Sequence, residues 1–317
     1  MRTHAATATL ALAMICSSIS PAVGEAGHTN DSILRQTFDF AAPRSRDAQS
    51  YEMETRVITY APDGKRANTD VLRLWLKCTP GKDTDQYTCQ KFTVQFGSAP
   101  EAALPALENW TYPFKETATG MDEKGQVFGI DHVKFENLVD ANGQPLPADK
   151  AYFVYNTFID FHAFCNAFAE PTTGGKGIQD LKSVGQKIVH AASFTEPPVN
   201  LGSNIAKGST FKNGEVTLAL KGLSIVDEAA CAIVAFDAGA SSFQMIMKPM
   251  PNMEVRSVGS SHYKGDLYID LATRWVRKVT MDELVVTETT VPMLPNKINA
   301  VIERNSTIRN VSKAPAK

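Results

Sequence analysis

Strong charge of one sign is missing from this chain: its 317 residues carry a net charge of −2. Both signs are scattered, so there is no basic stripe to follow a phosphate backbone, and nucleic acid is not expected as a partner. Long apolar runs are also scarce. Beyond the first 26 residues none approaches the ~20 residues a spanning helix needs, so no stable transmembrane segment is expected in the mature chain. Histidines number only six, and His28, His132, His162, His190 and His262 fall in separate segments without HExxH-like ligand spacing. No Gly-x-Ser-x-Gly elbow surrounds Ser260 or Ser261, and the loop Thr173 to Gly177 (TGGKG) lacks Walker spacing. No cofactor is implied.

What is present starts with MRTHAATATLALAMICSSISPAVGEAGH, in which a basic residue, an apolar run and the small-x-small step Gly24-Glu25-Ala26 read as an export signal over residues 1–26. The protein is therefore expected to be exported, to a periplasm or outside the cell. Cys16 follows the bulky Ile15, which weighs against lipidation. Four later cysteines, Cys78, Cys89, Cys165 and Cys231, suggest two disulfides, with three connectivities open. Cys78 and Cys89 enclose a turn-rich loop and form the natural local pair, which leaves Cys165 with Cys231. Strand parity opposes the local pair: Cys78 is in phase with Leu72, Leu74 and Leu76, whereas Cys89 is out of phase with Phe92, Val94 and Phe96, so a bulge is required.

Residues 27–50 show little periodicity and read as a loose N-terminal segment. EMETRVITY, VLRLWLKC and TCQKFTVQF then alternate as strands between PDGK and PGKDTD turns. A short helix is expected over 101–109 and short strands over 122–130 and 132–138. Helical spacing follows at 151–169 and 178–192, within an insertion spanning about 151–195. Strand texture resumes from Ser209 and persists to about residue 311, with a free tail at 312–317. The pattern predicts a single mainly β (α+β) domain over 51–311. Its core is a large curved antiparallel sheet or half-barrel, with a two-helix insertion covering the concave side.

The segment GDLYIDLATRWVRKVTM, a strand, an Asp-containing turn and a returning strand from Trp275, resembles half-barrel envelope proteins of the LolA/LolB lipoprotein-carrier type over roughly the last third of the chain. That resemblance implies a concave sheet closed by helices and able to hold an acyl chain. No family binding residue maps onto these positions.

Two clusters invite a chemical reading. QMIMKPMPNMEV places Met245, Met247, Met250 and Met253 within nine residues, a soft-donor set suited to copper. Yet Phe243, Met245 and Met247 alternate as one strand face, which favours packing or an adaptable apolar lining. In FIDFHAFCNAF, His162 shares a helix face with Cys165 and Asn166, but Phe158, Phe161, Cys165 and Phe168 form an amphipathic packing stripe. The expectation is a non-enzymatic protein that binds an apolar ligand, a lipid or a lipidated chain, through Phe243, Met245, Met247, Phe158 and Phe161. The alternatives are an envelope interaction module without a cavity, and a hydrolase with a loop site near Ser260 and His262.

Overall fold

Tyr51, Met53, Thr55 and Val57 are buried along β1 (Gln49–Tyr60), whereas Glu52 and Arg56 between them are exposed. The same period of two recurs along most of the long strands and sets an inner and an outer face. The computed structural model describes residues 36–115, 126–190, 194–195, 205–239, 241–250 and 252–312. Thirteen further strands follow β1: β2 (Arg66–Thr79), β3 (Gln86–Phe96), β4 (Ala102–Ala103), β5 (Trp110–Pro113), β6 (Lys187–His190), β7 (Phe194–Thr195), β8 (Thr210–Lys212), β9 (Val216–Val226), β10 (Ala229–Ala238), β11 (Ser241–Met250), β12 (Met253–Asp270), β13 (Val276–Thr290) and β14 (Ile298–Asn310). All join one antiparallel sheet, whose main path runs β4-β3-β2-β1-β14-β13-β12-β10-β9-β6. β12 is long enough to pair with β11 over its first half and with β10 over its second.

One α-helix lies among the described residues, α1 (Ala148–His162), which runs on into a π-turn at Ala163–Ala167. The sheet curls around it. Phe158 stacks on Phe92 of β3 at 5.7 Å between ring centroids, while Asp160, two residues on, is ion-paired with Arg304 of β14. Those strands are three positions apart, roughly 14 Å in a flat sheet at ~4.8 Å per strand, against a helix ~10–12 Å across with its side chains. Further along, Phe164 and Phe168 reach Phe236 of β10.

The segment Ile178 to Ala192 does not continue as a second helix: Ile178–Asp180 is a single 3-10 turn and Lys187–His190 is strand β6, paired with β9. Gly185, at φ 88°, breaks the helical run, and the Gln186 side chain accepts from Lys182 N and donates to Asp180 O in place of helical bonds. Residues 101–109 hold no α-helix but the short strand β4 and the 3-10 turn Pro105–Leu107. His132–Phe135 is likewise a 3-10 turn rather than a strand, capped by Asp131 and pinned by buried Phe135. Much of the strand expected over 122–130 lies outside the described residues. The N-terminal segment is not loose from residue 36 onward, because Phe38 and Phe40 are buried in the core and Phe38 N donates to Lys182 O.

The two expected disulfides are absent: Cys78, Cys89, Cys165 and Cys231 are all buried free thiols. The bulge foreseen for Cys89 exists, since the β2–β3 register shifts between Trp75 and Leu76 and skips Gln90. It leaves Cys89 opposite Leu76 and Cys78 opposite Tyr87, a diagonal relation of ~7–8 Å where a disulfide needs Cα atoms roughly 4.4–6.8 Å apart. Cys231 has the outward parity of Ile233 and Ala235, opposite to Val234 and Phe236, while Cys165 lies inside on the π-turn. Burial pushes the thiols of Cys78 and Cys89 up to about 12 and that of Cys231 to about 11, and raises Cys165 as well. A thiol-reactive dye should therefore label none of the four in the native protein, and all four after denaturation without reductant.

The motif DLATRW closes the β12–β13 turn. Asp270 Oδ1 accepts from Ala272 N at 2.8 Å and Thr273 N at 3.0 Å, and Oδ2 pairs with the buried Arg277 at 2.8 Å. Burial opposes the charge on Asp270, but the hydrogen bonds from Thr273, Arg277 and Ala272 outweigh it and lower its pKa. Asp270→Ala orphans both the turn amides and a buried guanidinium, so a loss of about 3 kcal/mol or more is expected in urea denaturation.

Candidate functional site

The concave face is where the sequence pointed, and α1 fills it. Phe158 and Phe161 are both fully buried. Phe158 lies against Phe92, Trp110, Tyr112 and Phe135, and Phe161 against Tyr51 and Tyr87. Their surfaces are spent on the protein's own aromatic rings.

Phe243, Met245 and Met247 sit elsewhere, on the inner face of β11, opposite Gly259, Ser257 and Val255. All three are half-buried. Phe243 stacks on Phe211 of β8, and its ring also crosses Gly259, where a Cβ would lie 2.5 Å from Phe243 Cζ. The four methionines do not converge on one point. Met250 pairs with Met253 at the hairpin end, roughly 10 Å along the strand from Met247 and farther from Met245. Among the described residues no cluster of three or more His, Cys, Asp or Glu side chains could hold a metal ion.

Ser260 and Ser261 face opposite sides of β12. Ser261 is buried, and its Oγ has no partner among the described residues. Ser260 points outward with His262, whose Nε2 bonds Asp237 Oδ1 at 2.7 Å in an exposed pair. A His–Asp pair is thus present, but among the described residues no serine hydroxyl is hydrogen-bonded to it.

The polar groups brought together are those between α1 and the sheet. His162 is completely buried. Its Nδ1–H donates to Asn166 Oδ1 at 3.0 Å and its Nε2 accepts from Tyr112 Oη at 2.8 Å, an assignment set by Asn166 Nδ2 donating to Tyr87 Oη and to Glu170 Oε1. Burial holds the imidazole neutral and lowers its pKa to about 3, despite the opposing bond to Asn166. Two residues back along α1, Asp160 holds Arg304, which Glu283 of β13 also holds at 2.7 Å. Asn156 accepts from the same guanidinium at 2.9 and 3.0 Å when its amide oxygen faces it. Burial, reinforced by Glu283 and only partly offset by Arg304, raises Asp160 to about 7. Two carboxylates on one cation leave a negative charge that a proton can neutralise.

Neither network was assembled from the sequence. Parity offered a signal: Arg304 is in phase with Ile302 and Ile308, and Glu283 with Val279 and Met281, so both are charged residues on an apolar face. That each meets the other and Asp160 is a fact of register and helix placement.

No protein-family model matches the chain, and no curated protein matches it. The resemblance to LolA/LolB-type carriers therefore has no family support, and what it shares with the structure is a large antiparallel sheet. Among solved structures, OmpT of Vibrio cholerae, an outer membrane protein folded in vitro and in trimer form, aligns with 83% of this chain and 99% of its own. Its identity is 9% and its TM-score 0.19, too slight a likeness to carry an argument. Among the described residues no helix is long and apolar enough to cross a membrane, which says nothing of strands.

Proposed function

We propose that this chain is an exported, non-enzymatic interaction module of the cell envelope. The observation that carries this reading is the filling of the concave face by α1: Phe158 and Phe161 occupy the space in which a carrier would hold an acyl chain. The outer face supports it. Leu284 (51% exposed), Val286 (48%), Val258 (43%) and Val301 (36%) stand side by side on β12, β13 and β14, where Val286 is opposite Val301. Contiguous exposed apolar side chains of this kind mark contact surfaces.

A second reading keeps the lipid or lipidated chain as ligand but moves it to the inner face of β11. Phe243, Met245 and Met247 are half-buried there, away from α1. Native mass spectrometry of protein purified from its own host separates the two. The interaction module predicts a mature chain starting near residue 27, recovered from the envelope or medium, with no bound lipid. Stoichiometric lipid that is lost on Phe243→Ala would favour the second reading and remove the first.

A further inference from the structure

On β13 no residue beyond Glu283 is buried, and on β14 none before Ser306. From Glu283 to Thr290 this hairpin therefore stands out roughly 24 Å past its last buried residue, at ~3.4 Å per residue. Its turn carries Met293, 80% exposed, and Leu294, 49% exposed. The neighbouring β11–β12 hairpin ends at the same height. Arg256 is opposite Thr290, and that register carried on sets Met253 level with residue 293, while Met250, itself exposed, is paired with Met253. Two apolar tips thus share one plane across the end of the sheet. The polar β1–β2 turn, with its ion pair between Lys65 and Asp63, comes level only with Ile298 by the pairing of Tyr60 with Val301, so Met293 and Leu294 reach past it.

Area and shape select the partner. The tips offer on the order of a few hundred Å2 of apolar surface, below the roughly 800 Å2 that each side contributes to a stable protein interface. A bilayer needs no matching shape and takes up separate protruding side chains at the boundary between headgroups and acyl chains. Pro249, Pro292 and Pro295, exposed at the tips, lack the N–H that an added strand would pair with, which argues against extension of the sheet by a peptide. Behind the tips Arg256 is paired with Glu254 at 2.7 Å and Lys297 with Glu288 at 2.5 Å, and exposed Lys248 gives this collar one net positive charge. A weakly basic collar suits phosphate headgroups without requiring anionic lipid. We propose that the β11–β12 and β13–β14 tips form a peripheral anchor on a lipid bilayer surface, with Met250, Met293 and Leu294 entering the headgroup boundary. The tips point along the strands, whereas Leu284 and Val286 face outward from the sheet, so this anchor goes beyond the outer-face contact and uses other residues.

Co-sedimentation of the full mature chain with phosphatidylcholine vesicles, with and without phosphatidylglycerol, tests the anchor. The chain should pellet with both, and the double variant Met293→Asp/Leu294→Asp should weaken binding to both about tenfold or more. Both side chains are exposed in a turn, so the variant leaves the fold untouched. An environment-sensitive dye on Met293→Cys should shift to the blue when vesicles are added, while the same dye on Leu284→Cys should not. Absence of vesicle binding, binding only to the anionic vesicles, binding unchanged in the double variant, or a dye at residue 284 that shifts as much as one at 293 would each overturn the proposal. Absence of vesicle binding would still leave the outer-face contact standing, since that reading falls only to stoichiometric lipid lost on Phe243→Ala.

Discussion

Asp160→Asn should turn the protein acid-sensitive between pH 7 and pH 5, with a loss of about 2 kcal/mol across that window relative to the unaltered chain, at 1.36 kcal/mol per pKa unit. In the folded state Asp160 takes up its proton near pH 7, whereas in the unfolded chain it does so near 3.8. Between those values the folded state binds more protons, so this group's contribution to stability rises as pH falls. Burial sets the shift, opposed by Arg304 from β14 and reinforced by Glu283 from β13. Asparagine removes the titration and with it the stabilisation on acidification. Urea denaturation at stepped pH reads the effect, and parallel profiles for variant and parent would refute it.

His162→Gln should do the reverse, gaining about 2 kcal/mol relative to the parent from pH 7 to pH 5 on the same scale. The unfolded chain protonates His162 near 6.5, but the buried ring resists until about 3. Between those values the unfolded state binds more protons, so the parent loses stability as pH falls, and glutamine abolishes that loss. His190, also lowered by burial, acts in the same direction but is common to parent and variants. At pH 7 the variant itself should be about 1–3 kcal/mol less stable, because Tyr112 and Asn166 lose an aligned partner. The two residues are two positions apart on α1 and their titrations oppose each other, so the parent should show a shallow pH profile and the single variants should diverge from it in opposite directions. The double variant Asp160→Asn/His162→Gln should return to a shallow profile, within the coupling expected of close neighbours.

Strand parity was legible because it depends only on chain neighbours. β1, β2, β3 and the strands from β9 onward fall close to where alternation placed them, and even the bulge at Gln90 could be inferred from the phase of Cys89. The amphipathic stripe through Phe158, Phe161, Cys165 and Phe168 likewise marked α1 and its buried face. The segment after it misled, since Ile178 to Ala192 has helical spacing but lies at a sheet edge, where pairing with β9 and a left-handed Gly185 prevail over periodicity.

The sequence by itself determined a mainly antiparallel sheet with inner and outer faces and a helix apolar enough to be buried. Only the tertiary structure decided what occupies the concave face, which cysteines come near one another, and which charged groups meet inside. Burial patterns are local and written residue by residue. Register across fourteen strands and the seat of α1 are long-range choices, and it is these that set Arg304 between Asp160 and Glu283, His162 between Tyr112 and Asn166, and Arg44 over Trp275.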